Sequence, residues 1–193
     1  MKDFFYNTKR KVLHFLSDIR VYPYPAFIIL WGDISYKVKS DVKRMILDEI
    51  EPGDVLLRRY SNYLGSIFIK GYWSHAAVFD GPNTVIHMLG NGIVREDILK
   101  FMNCDDIAIL RYNKGIEKIQ DAIDEVRNQL TKGVEYDYDF NTETPEKFYC
   151  TELISYIYNL NYPKNKIIFP DQFLTNPDFN IIYPGIKSHN IWI

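Results

Sequence analysis

Ser74-His75-Ala76-Ala77-Val78-Phe79-Asp80-Gly81-Pro82-Asn83-Thr84-Val85-Ile86-His87-Met88-Leu89 is the stretch on which the fold turns. Two apolar runs flank a cluster of Asp, Gly, Pro and Asn, the composition of a β-hairpin with a tight turn. A hairpin centred near Gly81 sets position 75 opposite position 87. Both histidines then share one face, with Cβ atoms about 4.5–5.5 Å apart, near enough for one imidazole to hydrogen-bond and orient the other. A slip of one residue would send them to opposite faces.

Outward from this hairpin, Val55 to Arg59, Ile93 to Arg95 and Ile107 to Arg111 are further short apolar runs between Gly, Pro, Asn and Asp. With Ala76 to Phe79 and Thr84 to Leu89 they predict an antiparallel sheet of about five strands. Ahead of the sheet, Glu51-Pro52-Gly53 ends a segment in which Val38, Val42, Met45, Ile46 and Ile50 recur at helical spacing. Behind it, Ile116, Ile119, Ile123, Val126 and Leu130 mark a helix closed by Gly133, and Leu153, Ile154, Ile157 and Tyr158 mark a second that starts at Cys150. Pro163, Pro170, Pro177 and Pro184 break the remainder into loops and short elements. The expectation is a single α+β domain: a helical N-terminal extension over 1–51, a core over 52–160 and a loop-rich tail over 161–193.

A chain of 193 residues can bury such a core without disulfides or metal. Its net charge of −2, with basic residues in short clusters, argues against a nucleic-acid partner. The high aromatic share, 12 Phe, 15 Tyr and 3 Trp, suits an apolar or sugar-lined cleft, although any single ring more often packs a core. Met1 to Arg20 places Phe5, Val12, Leu13 and Leu16 at helical spacing among basic residues, giving two readings: an ordinary docking helix, or a peripheral membrane contact. Ala26 to Trp31 is too short to span a bilayer and lacks a following cleavage site, so a cytoplasmic location is expected. Oligomeric state is left open.

Two cysteines in unlike contexts, Cys104 and Cys150, make no disulfide framework, and at least one is expected as a free thiol. Cysteine chemistry needs a thiolate, a proton acceptor, and a group that holds the acceptor in its tautomer. Cys150 directly precedes an apolar periodic run. At a helix N-terminus the dipole and free N–H groups are expected to lower the thiol pKa and to hold an oxyanion. His75 and His87 supply the acceptor and its orienting partner. Glu152, in the first helical turn, is expected to be a structural carboxylate favoured by the dipole. Cys104, beside Asp105 and Asp106, is expected to be inert.

Pro52-Gly53-Asp54-Val55-Leu56-Leu57-Arg58, Tyr72-Trp73-Ser74-His75-Ala76-Ala77-Val78 and Phe148-Tyr149-Cys150-Thr151-Glu152-Leu153 together resemble the YiiX/YebB-like branch of the NlpC-type papain-fold superfamily. That branch is circularly permuted, histidine strands ahead of the cysteine helix, and is similar to the lecithin retinol acyltransferases. The resemblance covers Pro52 to Tyr158 and implies a nucleophilic Cys150, a base His75 and a third polar residue at His87. Glutamate is commoner at that third place, and histidine resembles the acyltransferase version. It also implies a Tyr-Asp pair, met by Tyr136-Asp137 or Tyr138-Asp139, whose hydroxyl would serve the oxyanion. Tyr149 joins Tyr136 and Tyr138 as a candidate oxyanion or substrate-binding residue.

The function expected is hydrolysis or acyl transfer on an amide or ester, from peptide, N-acyl amide or lipid, without a cofactor. Two rivals stand beside it. One is a catalytically silent lipid- or peptide-binding domain of the same fold. The other is a zinc protein using Cys150, His75, His87 and Asp137, for which no short-range ligand pair speaks.

Overall fold

The computed structural model describes residues 8–9, 11–12, 15, 19–23, 26–29, 36–61, 69–140, 146–163 and 166–186. The expected helix near residues 5–16 lies largely outside them. Within the expected helical extension, Arg20–Pro23 (β1) and Ala26–Ile29 (β2) pair as an antiparallel hairpin, followed by the helix Ser40–Glu49 (α1).

The five anticipated strands all form: Val55–Arg59 (β3), His75–Phe79 (β4), Thr84–Leu89 (β5), Gly92–Asp97 (β6) and Asp106–Tyr112 (β7). Between β6 and β7 lies the short helix Ile98–Phe101 (α2), whose N-cap Asp97 accepts the N–H groups of Leu99 and Lys100. The helix Ile116–Lys132 (α3) ends at Gly133 in the left-handed conformation, φ 66°. Glu135–Tyr136 (β8) and Lys147–Phe148 (β9) form a small parallel pair that delivers the chain into the helix Cys150–Ile157 (α4).

The sheet has one strand more than the five expected. After a 3-10 helix over Pro170–Thr175, Phe179–Tyr183 (β10) joins the main sheet as a sixth strand, antiparallel to β7. Strand order is β10-β7-β3-β4-β5-β6, antiparallel throughout, with β3 and β4 at its centre.

Central strands read as nearly continuous apolar runs because both faces are covered. Val55, Leu57, Ala76, Val78, Ile86, Met88, Ala108 and Leu110 pack under α3 and α4, against Ala122, Val126, Leu153 and Ile154. The intervening residues Leu56, Ala77, Phe79, Val85, Ile107 and Ile109 pack under α1 and α2, against Ile46, Ile98 and Phe101. Each fully buried Val, Leu, Ile, Met or Phe among them contributes about 1.5–3 kcal/mol. The turn before β3 is tied to both layers: Gly53 (φ 90°) donates its N–H to Phe79 O at 2.8 Å and accepts the Tyr158 hydroxyl. No helix among the described residues is long and apolar enough to cross a membrane.

Candidate functional site

The β4–β5 register pairs Val78 with Ile86 and Phe79 with Val85. Continued along the strands, it sets Ala77, not His75, opposite His87. The hairpin is centred one residue later than expected, and this correction moves the histidines from direct to diagonal neighbours. Because the partner of position 75 moves by two residues, the shared face survives. His75 Nε2 lies 2.8 Å from His87 Nδ1, with the two rings edge-on.

That pair does not end at His87. In the β5–β6 ladder His87 faces Val94 and Val85 faces Glu96, so Glu96 is diagonal to His87 on the same face. Glu96 Oε2 lies 3.4 Å from His87 Nε2, yet that nitrogen, wholly buried, makes no formed hydrogen bond. We take the approach as an electrostatic contact whose geometry is slightly open, since 3.4 Å is beyond the usual N–H···O range. Glu96 also accepts Lys100 Nζ at 2.9 Å and faces Arg58 Nη1 at 3.5 Å. Arg58 pairs with His75 in the β3–β4 ladder, is buried, and stacks over the Phe101 ring at 4.2 Å.

These surroundings set the charges. Burial depresses the pKa of both imidazoles, and the Arg58 cation adds to the effect, so both rings are neutral at pH 7. The His87 contact, helped by Lys100 and Arg58 and opposed by desolvation, holds Glu96 at about 2, fully ionised.

Cys150 is the first residue of α4, as expected, and is buried. The backbone N–H groups of Ala76 and Thr151 and the Thr151 side chain lie near enough to its sulfur to favour the thiolate. The expected lowering of its pKa is overturned: burial raises it, and those N–H groups and the Arg58 charge only partly offset the loss of water. A helix N-terminus acts locally on a thiolate; enclosure by the core outweighs it here. The resting state is therefore a neutral thiol near neutral imidazoles.

Alternation along β4 places Ala76 and Val78 on the α4 face and His75, Ala77 and Phe79 on the α2 face, where both histidine rings meet Phe101. Sulfur and imidazole pair thus approach the first residues of β4 from its two sides. Among the described residues no hydrogen bond joins Cys150 to either ring. His75, at the strand's opening and only partly buried, is the member of the pair nearest to Ala76 in the chain.

The entrance to β4 is fixed from the tail. Asp171 accepts the N–H groups of Tyr72 and Trp73 at 2.8 and 2.9 Å. On the other side Tyr149 Oη accepts the Ile168 N–H at 2.9 Å, while Thr151 Oγ1 donates to Ile168 O at 2.6 Å. The segment around Ile168 is thereby clamped to the residues flanking the cysteine.

Of the tyrosines, Tyr136 pairs with Phe148 across β8–β9 and is close enough to Cys150 that a thiolate's charge adds to the burial that raises its own pKa. The Tyr138 hydroxyl donates to Gly90 O at 2.7 Å, which commits its proton. Glu152 accepts the Tyr149 N–H at 3.3 Å as a helix cap. Burial raises its pKa to about 8, with Asp137 adding to it, so the expected carboxylate is a neutral acid at pH 7. Cys104 is fully buried and burial pushes its thiol up to about 12, which makes it the inert cysteine expected.

Among the described residues no three His, Cys, Asp or Glu side chains gather as a metal-holding group, and Asp137 is turned to the Asp139 N–H at 2.8 Å. Glu96 and Arg58 escaped the sequence reading. A two-residue turn at Gly90-Asn91 was the available signal, since it sets Val94 opposite His87 and carries Glu96 to the same face.

Residues 49–188 match the family described as permuted papain-like amidase enzyme, YaeF/YiiX, C92 family. Among solved structures, the metalloprotein yiiX from Escherichia coli O157:H7 superposes with a TM-score of 0.57 at 14% identity, covering 69% of this chain and 97% of that one. At that identity the likeness speaks to the fold alone. No curated protein matches the chain.

Proposed function

The chain belongs to the permuted papain-like amidase family, and on that premise we propose that it cleaves an amide or ester through a thioester at Cys150, with His75 as base and His87 orienting it. The observation that carries this reading is the 2.8 Å His75–His87 bond at the start of the strand whose next residue, Ala76, offers its N–H to the Cys150 sulfur.

With a neutral thiol at rest, the reaction is general-base catalysed. His75, at the partly buried start of β4, brings its Nδ1 within hydrogen-bond reach of the sulfur while its Nε2 stays on His87. It takes the thiol proton as the sulfur attacks the carbonyl carbon. The oxyanion is met by N–H groups at the head of α4 and by the Tyr136 hydroxyl. Collapse breaks the C–N or C–O bond, His75 returns the proton to the leaving amine or alcohol, and a thioester remains. Water, deprotonated by the same imidazole, releases the acid and restores the thiol.

For the substrate we favour an acyl amide or acyl ester over a long peptide. A groove of about 490 Å3 is lined by Tyr162, Pro163, Ile167, Ile168 and Phe169 together with the polar side chains of Lys70, Lys166, Asp171 and Gln172. The backbone of Ile168, one of its lining residues, is hydrogen-bonded to both neighbours of Cys150. The test is turnover of N-acyl amides and acyl esters of graded chain length by the wild type, Cys150→Ala and His75→Ala. Loss of all turnover in the first variant and of about 10²–10⁴-fold in the second is expected. Turnover that survives Cys150→Ala ends the proposal, and binding without turnover by the wild type establishes the silent reading instead.

A further inference from the structure

We propose that Glu96 is a positioning residue that sets the tautomers of both histidines, so that the lone pair of the chain Glu96-His87-His75 emerges at His75 Nδ1. This rests on the reading of His75 as base for Cys150, and adds to it which nitrogen of the base carries the lone pair.

The argument is one of proton counting. Glu96 is held as a carboxylate by Lys100 Nζ at 2.9 Å and Arg58 Nη1 at 3.5 Å, so it can only accept. The atom 3.4 Å from it is His87 Nε2, a nitrogen with no exposure and no other hydrogen bond among the described residues. A lone pair there would face a negative oxygen in a buried site; an N–H faces it favourably. A neutral imidazole carries one proton, so His87 Nδ1 must then be the acceptor. Across the 2.8 Å contact His75 Nε2 must donate, which leaves the His75 lone pair on Nδ1. In the reversed arrangement His75 Nδ1 carries its proton and cannot take one from a thiol.

The charged and titratable groups facing this chain are Arg58 from β3, Lys100 from α2, Tyr60 after β3 and the two histidines themselves. The His87 contact, with Lys100 and Arg58, keeps Glu96 ionised, and burial with Arg58 keeps both rings neutral. Both conditions are needed for the proton count to hold. Glutamine at position 96 removes the first. Its carbonyl can still accept from Lys100 and Arg58 while its amide N–H turns to His87 Nε2, which reverses both rings.

The experiment reads imidazole 15N shifts in a background with His14→Gln and His189→Gln, so that only His75 and His87 report. In that protein both rings should be protonated on Nε2. Adding Glu96→Gln should move both toward Nδ1–H and lower kcat about 10- to 100-fold with KM unchanged, whereas Glu96→Asp should keep the Nε2–H forms. Rings already in the Nδ1–H form before Glu96 is changed, or tautomers indifferent to Glu96→Gln, overturn the proposal. The first readout needs no change at Glu96, so misfolding of that variant does not shelter it. Tautomers that respond as stated in a protein without Cys150-dependent turnover would support the role of Glu96 and defeat the hydrolase reading separately.

Discussion

Replacing Glu152 by glutamine should stabilise the protein, and by an amount that grows with pH. The side chain caps α4 through the Tyr149 N–H, 6% exposed and near buried Asp137, and its carboxyl titrates at about 8 instead of the usual 4.5. A raised carboxyl contributes full stability below 4.5 and loses it progressively up to 8, because the unfolded chain sheds its proton across that window and the folded protein does not. Between the two midpoints the loss is about 1.4 kcal/mol per pH unit, or about 3 kcal/mol at pH 7 and about 4 kcal/mol at pH 8. Glutamine keeps the acceptor for the Tyr149 N–H and never ionises, so it escapes this loss. Urea unfolding of both proteins at pH 5, 6, 7 and 8 measures the difference. It should be below about 1 kcal/mol at pH 5 and widen in favour of Glu152→Gln at each step. A difference that stays flat with pH, or a variant less stable at pH 8, would refute the reasoning.

Gly53→Ala should cost about 2–5 kcal/mol, combining a left-handed backbone with overpacking, since a Cβ there would sit 2.4 Å from Ile119 Cγ2 at φ 90°. Its urea midpoint should drop sharply, and an unchanged midpoint would mean that this turn is not the fixed link between the layers. Alkylation of the native protein by iodoacetamide should label Cys150 and spare Cys104, with a pH midpoint above the ordinary 9.0 of a free thiol, because burial raises both groups. Modification of Cys104 before unfolding, or a Cys150 midpoint below 9.0, would contradict the burial argument.

The strands and helices that position the site were legible because their signals are local. Asp80-Gly81-Pro82-Asn83 between two apolar runs announces its hairpin, and Gly133 after the stripe Ile119, Ile123 and Val126 announces a helix end. What escaped was nonlocal. Phe179–Tyr183 lies between Pro177 and Pro184 with Asn180 and Ile181 exposed at the sheet edge, so its pattern is weak, and its partner β7 lies far upstream. The hairpin register hid in the turn, where Asn83 takes a left-handed φ of 63° and moves the centre by one residue. At the site, residue types spoke for Cys150, His75 and His87, but their charge states did not follow from type. The helix N-terminus that should acidify Cys150, and the dipole that should favour ionised Glu152, are overridden by the core that closes over them. Only the assembled layers reveal that burial.

The central claim is that Cys150 carries an acyl group in turnover. Rapid quench of the protein with an activated acyl ester, followed by intact-mass and peptide analysis, tests it most directly. The predicted result is a transient acyl adduct on the Cys150 peptide, labile to hydroxylamine, absent in Cys150→Ala and slow to form in His75→Ala. Product formation at full rate with no adduct on that peptide, or an adduct formed equally fast without His75, would contradict the account.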